Sequence, residues 1–398
     1  MTPLTAQRIL QMQPSATLAM SALSRKLQAQ GNDMINLSLG EPDFDTPNFI
    51  KQAAKEALDQ GYTKYTPVPG LPELRKAICE KFLRENQLIY TPEQVIVSNG
   101  AKQSVSNILF SILNPGDEII IFTPYWVSYN EMVKLTGATP VFLSADVQAN
   151  YTPTPEALEQ AITSRTKAIL YSSPGNPTGT VFSKVTLEAY AEVLRRHENI
   201  LIISDEIYEY INFCPTHVSM AQLEGMQERT AIINGFSKGF AMTGWRLGYM
   251  AGPEWLVKAC SKMQSQITSG ATAFGQKAAV TALHRGRPST ISMVETFRKR
   301  RDYLLEKVKA LPGVRCNHPE GAFYLFPDFS SYFGKSFEGL VLSNADDLTM
   351  YLLRHAHVAL VSGTAFGEER CIRLSYAASD SILAEAMLRI GRALEQLS

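Results

Sequence analysis

The strongest constraint on the fold is a series of short, almost wholly apolar runs between residues 94 and 251, rich in Ile and Val and separated by stretches of helical periodicity. Several runs lack polar alternation, which is typical of strands buried on both faces. The sequence therefore predicts an α/β fold with a mostly parallel seven-stranded sheet and helices on both faces. The predicted strands are 94–98, 118–122, 139–143, 167–171, 200–204, 231–234 and 248–251.

The pattern changes after residue 288. A long helical stretch at about 289–310 is followed by strand-like runs at 323–326 and 371–376 and by a closing helix, which predicts a smaller α+β domain. The N-terminal segment, with a strand-like run at 34–39 and a turn at 40–43, is expected to pack with it. We therefore predict a large domain at 46–288 and a small domain formed by 1–45 and 289–398.

Charge and composition exclude several classes of protein. Lys plus Arg and Asp plus Glu both number 38, so no basic excess is available for a nucleic-acid backbone. The first 30 residues lack the apolar core of a signal peptide and no later run could span a membrane, so we expect a cytoplasmic protein without membrane contact. The five cysteines are scattered without a C-x-x-C pair, so neither a disulfide framework nor a metal site is expected.

Polar residues follow several predicted strands at their carboxyl ends, where open α/β sheets bind ligands. Gly100, Ala101 and Lys102 open a helical pattern, and backbone N–H groups at such a start can bind a phosphate. Trp126 follows the second strand and can stack on a planar ligand, although a Trp is by default a core or interface residue. Asn176 lies among prolines and glycines that fix the backbone of a turn.

Charged residues follow the next strands. Asp205 follows the most apolar predicted strand. A carboxylate there is costly to desolvate unless a cation or several hydrogen-bond donors pair with it. Such an Asp can also cap a helix. Lys238 lies in a glycine-rich, largely apolar segment, where burial lowers an amine pKa towards the neutral form that attacks an aldehyde. Arg246 offers a permanent fork for a phosphate.

Together these side chains match the groups of pyridoxal phosphate. Lys238 can form a Schiff base with the aldehyde, and Asp205 can pair with the ring nitrogen. Tyr208 and Asn176 can form hydrogen bonds with the ring oxygen, and an aromatic side chain can stack on the ring face. The G-x-G-x-x-G turn of nicotinamide sites and the P-loop are both absent from the sequence, so we expect no nucleotide cofactor.

The sequence resembles the fold type I pyridoxal-phosphate aminotransferases, specifically the bacterial-type aspartate aminotransferase subgroup. The resemblance covers essentially the whole chain and is carried by several motifs in order: PSAT at 14–17, GEPDFDTP at 40–47, KYTPVPGLPELR at 64–75, PYWVSY at 124–129, NPTG at 176–179, SDEIY at 204–208, SKGFAMTGWRLGY at 237–249 and CIRLSYA at 371–377. One departure is Gly175, where relatives often carry a bulkier residue.

The resemblance implies roles for named residues. Lys238 binds the cofactor as a Schiff base and shuttles protons, with Asp205 and Tyr208 as its catalytic partners. The remaining cofactor contacts implied are Gly100, Ala101, Lys102, Trp126, Asn176, Ser237, Arg246 and, from the partner subunit of a homodimer, Tyr65. The substrate contacts implied are Arg373 to the α-carboxylate, the backbone of Gly40, and Asn176, Trp126, Lys102 and Thr17.

The implied reaction is ping-pong transfer of an amino group between an amino acid and a 2-oxo acid. Animal-type aspartate enzymes bind the distal carboxylate with an arginine that is missing here between Arg246 and Arg285. In the bacterial-type subgroup a lysine and a threonine replace it, and Lys102 and Thr17 match those positions. That favours aspartate and glutamate, with 2-oxoglutarate and oxaloacetate as the oxo acids.

Alternatives remain on the same scaffold: a prephenate, aromatic or alanine-type aminotransferase, or a carbon–sulfur β-lyase. From a different class, the fold also serves as the sensor half of bacterial transcription regulators. Those carry a DNA-binding domain ahead of it, and only about thirty residues precede the first strand-like run here, so we do not expect a regulator.

Overall fold

The structure, a computed structural model, describes residues 4–398. Its strands are β1 (Ile35–Asn36), β2 (Val95–Ser98), β3 (Glu118–Thr123), β4 (Thr139–Ser144), β5 (Thr166–Ser172), β6 (Leu201–Asp205), β7 (Thr230–Gly235), β8 (Gly248–Ala251), β9 (Tyr324–Leu325), β10 (Ser336–Phe337), β11 (Leu340–Val341), β12 (Val358–Ala359), β13 (Val361–Ser362) and β14 (Ile372–Ser375). Its helices are α1 (Gln7–Leu10), α2 (Ala16–Ala29), α3 (Asn48–Asp59), α4 (Pro72–Lys81), α5 (Ala101–Ile112), α6 (Ser128–Thr136), α7 (Pro155–Ala161), α8 (Lys184–Arg195), α9 (Glu254–Ile267), α10 (Ala273–Arg285), α11 (Arg287–Lys309), α12 (Ala345–Tyr351) and α13 (Asp380–Glu395).

A seven-stranded sheet forms the centre of the fold, in the order β2-β8-β7-β6-β5-β3-β4. Strand β8 runs antiparallel to both of its neighbours, and the other six strands are parallel to one another. The α/β prediction is confirmed, and each predicted strand agrees with the structure to within one residue at either end.

Both faces of this sheet are covered by helices. Along β2, Val95 and Val97 pack in one apolar cluster with residues of α3, α4 and α10, whereas Ile96 packs in another with residues of α5 and α9. All three side chains are at most 1% exposed. Burying a side chain of this size stabilises the fold by about 1.5–3 kcal/mol, which explains why these strands lack polar alternation.

The C-terminal elements build a second apolar core around α11 and α13. An antiparallel sheet in the order β13-β14-β9 lies against it, and β1 pairs in parallel with β12. Ile35 and Leu37 share this core with Phe297 of α11 and Leu374 of β14, so the N-terminal segment packs with the C-terminal elements. The boundary expected at residue 288 falls in the first turn of α11.

This arrangement sets the place of the site. Strands β2, β3, β5, β6 and β7 point their carboxyl ends towards one edge of the sheet, and Arg373 of β14 reaches the segment after β5, where its Nη1 donates to Asn176 Oδ1 at 2.9 Å. Separately, no helix within residues 4–398 combines the length and the apolar character needed to cross a membrane.

Candidate active site

A cavity of about 350 Å³ lies at this edge of the sheet, between the strand ends and the C-terminal elements. Twelve of the residues expected from the sequence line it: Thr17, Gly40, Ala101, Lys102, Trp126, Asn176, Asp205, Tyr208, Ser237, Lys238, Arg246 and Arg373. Two do not. Gly100 lies directly beside the lining, and Tyr65 is 99% exposed on the surface of the subunit.

Asp205 is the last residue of β6, and its carboxylate is buried. The Tyr129 phenol donates to Oδ2 at 2.6 Å and the Ile207 backbone N–H donates to Oδ1 at 3.2 Å. Both donors are neutral, and Asp205 has no ion-pair partner within residues 4–398. Burial therefore dominates and raises the pKa of Asp205 to about 6, so the carboxylate favours a ligand that brings it a proton donor.

Lys238 follows β7 and points its amine into the cavity, where Nζ donates to the backbone carbonyl of Gly40 at 2.5 Å. Burial lowers the pKa of Lys238 to about 8, an effect that the carboxylate of Glu41 partly opposes. Nζ also lies 5.9 Å from the centre of the Tyr208 ring. Roughly a tenth of this amine is neutral at pH 7, far more than for a lysine of ordinary pKa, and the neutral form is what a nucleophile or general base requires.

Tyr208 lies one turn beyond β6 and is buried, with its hydroxyl 2.7 Å from the hydroxyl of Tyr324. Burial raises the pKa of Tyr208 well above its usual range, and the neighbouring Tyr324 adds to the effect. The phenol is therefore neutral at physiological pH and can act as a hydrogen-bond donor towards the cavity.

Arg373 is a cation that is only 1% exposed. Its Nη1 donates to Asn176, its Nη2 donates to the carbonyl of Ser38, and its buried Nε has no partner. No carboxylate within residues 4–398 pairs with it, and its guanidinium carbon instead lies 4.6 Å from the ring centre of Tyr324. A buried cation without an anion is costly, so this end of the cavity favours a ligand that brings an anionic group such as a carboxylate.

The opposite end of the cavity offers donors for a phosphate. Helix α5 begins at Ala101, so the N–H groups of its first two residues, Ala101 and Lys102, have no intrahelical partner, and Arg246 lies beside the helix start at Gly100. Gly100 has a φ of 82°, and a Cβ there would meet Arg246 Nη2 at 2.5 Å. Only glycine allows the guanidinium to lie this close to the helix start.

Lys102 and Thr17 also line the cavity. Lys102 Nζ lies 4.9 Å above the ring of Trp126, while Thr17 is in the first turn of α2. Counted over the lining, four cations (Lys102, Lys238, Arg246 and Arg373) face two carboxylates (Glu41 and Asp205). The cavity therefore favours ligands that carry several negative charges.

Sequence reasoning missed three lining residues with direct contacts in the site. Tyr129 was visible only as part of PYWVSY, Glu41 only as part of a turn, and Tyr324 only as part of an apolar run. Tyr129 binds Asp205, Tyr324 binds Tyr208, and Glu41 accepts a hydrogen bond from Thr243 on the far side of the cavity. The role of each of these three residues depends on its tertiary contacts. A local sequence pattern does not reveal such contacts.

The comparisons with known proteins agree with this geometry. The family model for aminotransferase class I and II matches residues 32–390. A Petunia hybrida protein named bifunctional aspartate aminotransferase and glutamate/aspartate-prephenate aminotransferase is 49% identical over 97% of this chain and 82% of that protein. An aspartate/prephenate aminotransferase from Cereibacter sphaeroides is 48% identical over 95% of both chains.

Solved structures agree as well. The crystal structure of the aspartate aminotransferase from Rhizobium meliloti superposes with a TM-score of 0.96 at 42% identity, over 99% of both chains. The aspartate aminotransferase from Thermus thermophilus with maleate superposes with a TM-score of 0.92 at 42% identity, over 98% of this chain and 100% of the other. The predicted family is confirmed: the chain belongs to the class I and II aminotransferases.

Proposed function

We propose that this aminotransferase uses pyridoxal 5′-phosphate and transfers the amino group of aspartate or glutamate to a 2-oxo acid. The observation that carries the proposal is that Lys238, Asp205 and Arg373 line one cavity, and that none has an ion-pair partner within residues 4–398. Each of the three charged side chains is therefore available to interact with a group of the ligand.

The lining fits pyridoxal phosphate group by group. Asp205 would accept from the ring N–H, which supplies the cationic partner that the buried carboxylate lacks. The Tyr208 hydroxyl and the Asn176 amide would donate hydrogen bonds to the ring oxygen, and Trp126 would stack on the ring face. The helix start at Gly100, Ala101 and Lys102, together with Ser237 and Arg246, would hold the phosphate, and Lys238 would hold the aldehyde carbon. When bound, the cofactor supplies an electron-withdrawing ring conjugated to the substrate carbon.

The residues of the chain then divide the work. Arg373 would fix the substrate α-carboxylate with the N–H groups that Asn176 and Ser38 do not use, and the Gly40 backbone would close beside it. Burial lowers the pKa of Lys238 to about 8, so its amine would act as the base that takes the α-proton and then returns it to the aldehyde-derived carbon of the cofactor. Asp205 keeps the ring nitrogen protonated throughout, because an ion pair in a buried site favours the charged forms.

Lys102 and Thr17 would bind the distal carboxylate of aspartate or glutamate. The excess of cations in the cavity supports a dicarboxylate, and the Thermus thermophilus relative was solved with maleate, which is one. A second substrate, prephenate, is favoured by the names of two relatives that are 48–49% identical. Prephenate also carries two carboxylates, so the same pair of side chains would serve it.

We also propose that residues 46–288 form the cofactor-binding domain, and that the segments before 46 and after 288 form a small domain that carries Arg373. Residues 1–3 of the first segment lie outside the described residues. The core shared by Ile35, Leu37 and the C-terminal elements supports this division. Movement between the two would open and close the cavity, which both groups of elements line. The active unit proposed is a homodimer in which Tyr65 reaches the partner's site.

Single-turnover absorbance spectroscopy tests the function. Holoenzyme is mixed in turn with aspartate, glutamate, phenylalanine, alanine and cysteine, and loss of the bound cofactor's visible absorbance is followed. Fast change with aspartate and glutamate is expected. The Lys102→Ala variant should lose roughly tenfold to a hundredfold in rate constant over dissociation constant for these two, the effect of one charge-assisted hydrogen bond of about 1.5–3 kcal/mol, with alanine little changed.

The matched control is Lys258→Ala, since Lys258 is a well-exposed lysine on α9 away from the cavity. It should leave all five rates unchanged. Faster conversion of phenylalanine or alanine than of aspartate would move the assignment to an aromatic or alanine-type enzyme, and pyruvate release from cysteine would indicate a β-lyase. A holoprotein with no cofactor absorbance, in wild type as in Lys238→Ala, would refute the cofactor assignment.

A further inference from the structure

Tyr324 occupies a place in the site that the proposed function does not use. It lies on β9, is fully buried, and lines the cavity beside Tyr208 and Arg373. Its hydroxyl lies 2.7 Å from that of Tyr208, and its ring centre lies 4.6 Å from the guanidinium carbon of Arg373. One side chain therefore touches both the cofactor-facing phenol and the substrate-facing cation.

The two phenols share one hydrogen bond. Within residues 4–398 neither hydroxyl has another hydrogen-bond partner, so one O–H proton lies between the oxygens and the other is free. The Tyr324 oxygen is crowded by the backbone of Gly40, where an added Cβ would be only 2.6 Å away. Both phenols line the cavity. If Tyr324 donates to Tyr208, the proton left free is that of Tyr208, the phenol proposed to meet the ring oxygen.

We propose that Tyr324 is a positioning residue: it donates its proton to the Tyr208 oxygen and thereby directs the Tyr208 proton towards the ring oxygen of the cofactor. The inference rests on the role proposed above for Tyr208. It adds that the donor strength and direction of that phenol are set from β9, the neighbour of the strand that carries Arg373. Hydrogen bonds in such a chain polarise one another, so Tyr208 becomes the stronger donor.

Arg373 lies against the ring of Tyr324. Burial, the larger effect, raises the pKa of Tyr324, and the guanidinium partly opposes it. Tyr324 therefore stays protonated and available as a donor. Strand β14 thus presents Arg373 to the substrate. Its neighbour β9 presents Tyr324, which directs the Tyr208 proton towards the cofactor.

The test is a spectrophotometric pH titration of holoenzyme. A donor to the ring oxygen of the cofactor favours its deprotonated form and lowers the pH at which the bound cofactor's absorbance changes. Tyr324→Phe keeps the ring and removes the hydroxyl, so the midpoint should rise by about half a pH unit, a threefold change in proton affinity. The dissociation constant of the cofactor should rise by a similar factor, and kcat should fall more than KM changes.

Three companion variants make the result specific. Tyr208→Phe should raise the midpoint further, and adding Tyr324→Phe to it should then have no effect, because Tyr324 acts through Tyr208. Tyr376→Phe is the matched control: it is a buried tyrosine of the same core, its hydroxyl donates to the Ala322 carbonyl, and it does not line the cavity. It should leave the midpoint unchanged.

The possible failures are distinguishable. A shift in Tyr208→Phe with none in Tyr324→Phe overturns the inference and leaves the proposed function intact. Equal shifts in Tyr324→Phe and Tyr376→Phe assign the effect to loosened packing and overturn it too. An unshifted Tyr208→Phe removes the proposed role of Tyr208 itself, and the inference with it.

Discussion

The phenol of Tyr129 donates a 2.6 Å hydrogen bond to the carboxylate of Asp205, at the carboxyl end of β6. The other hydrogen bond to this carboxylate comes from the backbone N–H of Ile207, and the carboxylate has no ion-pair partner within residues 4–398. This pairing holds the carboxylate in place without neutralising it. Burial of the Asp205 carboxylate therefore lowers the stability of the folded protein, and an ion pair with a protonated ring nitrogen would offset this desolvation penalty.

The first prediction concerns stability without cofactor. Asp205 has a folded pKa raised to about 6 from 3.8, so the folded state binds more protons than the unfolded state between these values. Stability therefore falls as pH rises through that window, and the loss is complete above it. Cofactor-free Asp205→Asn should be about 3 kcal/mol more stable than wild type at pH 8 and equally stable near pH 4. Urea unfolding at both pH values measures this.

The exposed Asp45 supplies the control, because its side chain is 98% exposed. Asp45→Asn should match wild type at both pH values. Cofactor should reverse the order at pH 8, since only wild type gains an ion pair on binding it. If the cofactor-free Asp205→Asn protein is no more stable than wild type at pH 8, the buried carboxylate carries no such cost.

A second prediction concerns how the cofactor attaches. In the proposed attachment the neutral amine of Lys238 would be the nucleophile, and burial lowers its pKa to about 8. The rate at which cofactor-free protein binds pyridoxal phosphate covalently should therefore rise with pH and level off above about 8. A lysine of ordinary pKa 10.5 would still be gaining at pH 9.5. Stopped-flow absorbance between pH 6 and 9.5 distinguishes the two, with Lys238→Ala as the zero-rate control.

The fold was more predictable than the contacts within the site. Uniformly apolar strands followed by polar residues identify both a parallel sheet and the edge that binds ligands, which is why Asp205 and Lys238 were found from local patterns. Arg373 was identified only from the family resemblance, because a single arginine in a short strand has no local signature. Its meeting with Asn176 joins residues 197 positions apart in the chain.

Tyr129 and Tyr324 show what the sequence does not reveal. Both read as ordinary core tyrosines, and both are buried in apolar clusters as that reading requires. Their hydroxyls bind Asp205 and Tyr208 because α6 and β9 bring them to the sheet edge from opposite sides. That outcome depends on how distant elements pack against one another, which neither periodicity nor spacing encodes.

A third prediction tests the shared site. Tyr65 is 99% exposed in the single subunit, which is unusual for a tyrosine with no role at the surface. If it reaches the phosphate in the partner subunit, Tyr65→Phe should weaken cofactor binding about fivefold to tenfold, the effect of one hydrogen bond to a charged group, without changing unfolding. Tyr303→Phe, on an exposed tyrosine of α11, is the control. Equilibrium dialysis measures binding, and a monomer by analytical ultracentrifugation would contradict the shared site.

The last prediction concerns Arg373. Its guanidinium serves the Asn176 amide and the Ser38 carbonyl while its Nε stays free, so a planar fork with several donors is required. Arg373→Lys keeps the charge but cannot bond these acceptors and a carboxylate together. We expect kcat/KM to fall at least about a hundredfold, roughly 3 kcal/mol.

The loss should be the same for aspartate and alanine, because both carry the α-carboxylate, whereas Lys102→Ala should affect aspartate far more. Arg370→Lys is the matched control, since Arg370 is a nearby arginine that pairs with Glu368 and does not line the cavity. Steady-state kinetics with both amino acids measures the effect. A loss below threefold on both would show that Arg373 does not hold the α-carboxylate, and a loss confined to aspartate would place the distal carboxylate there instead.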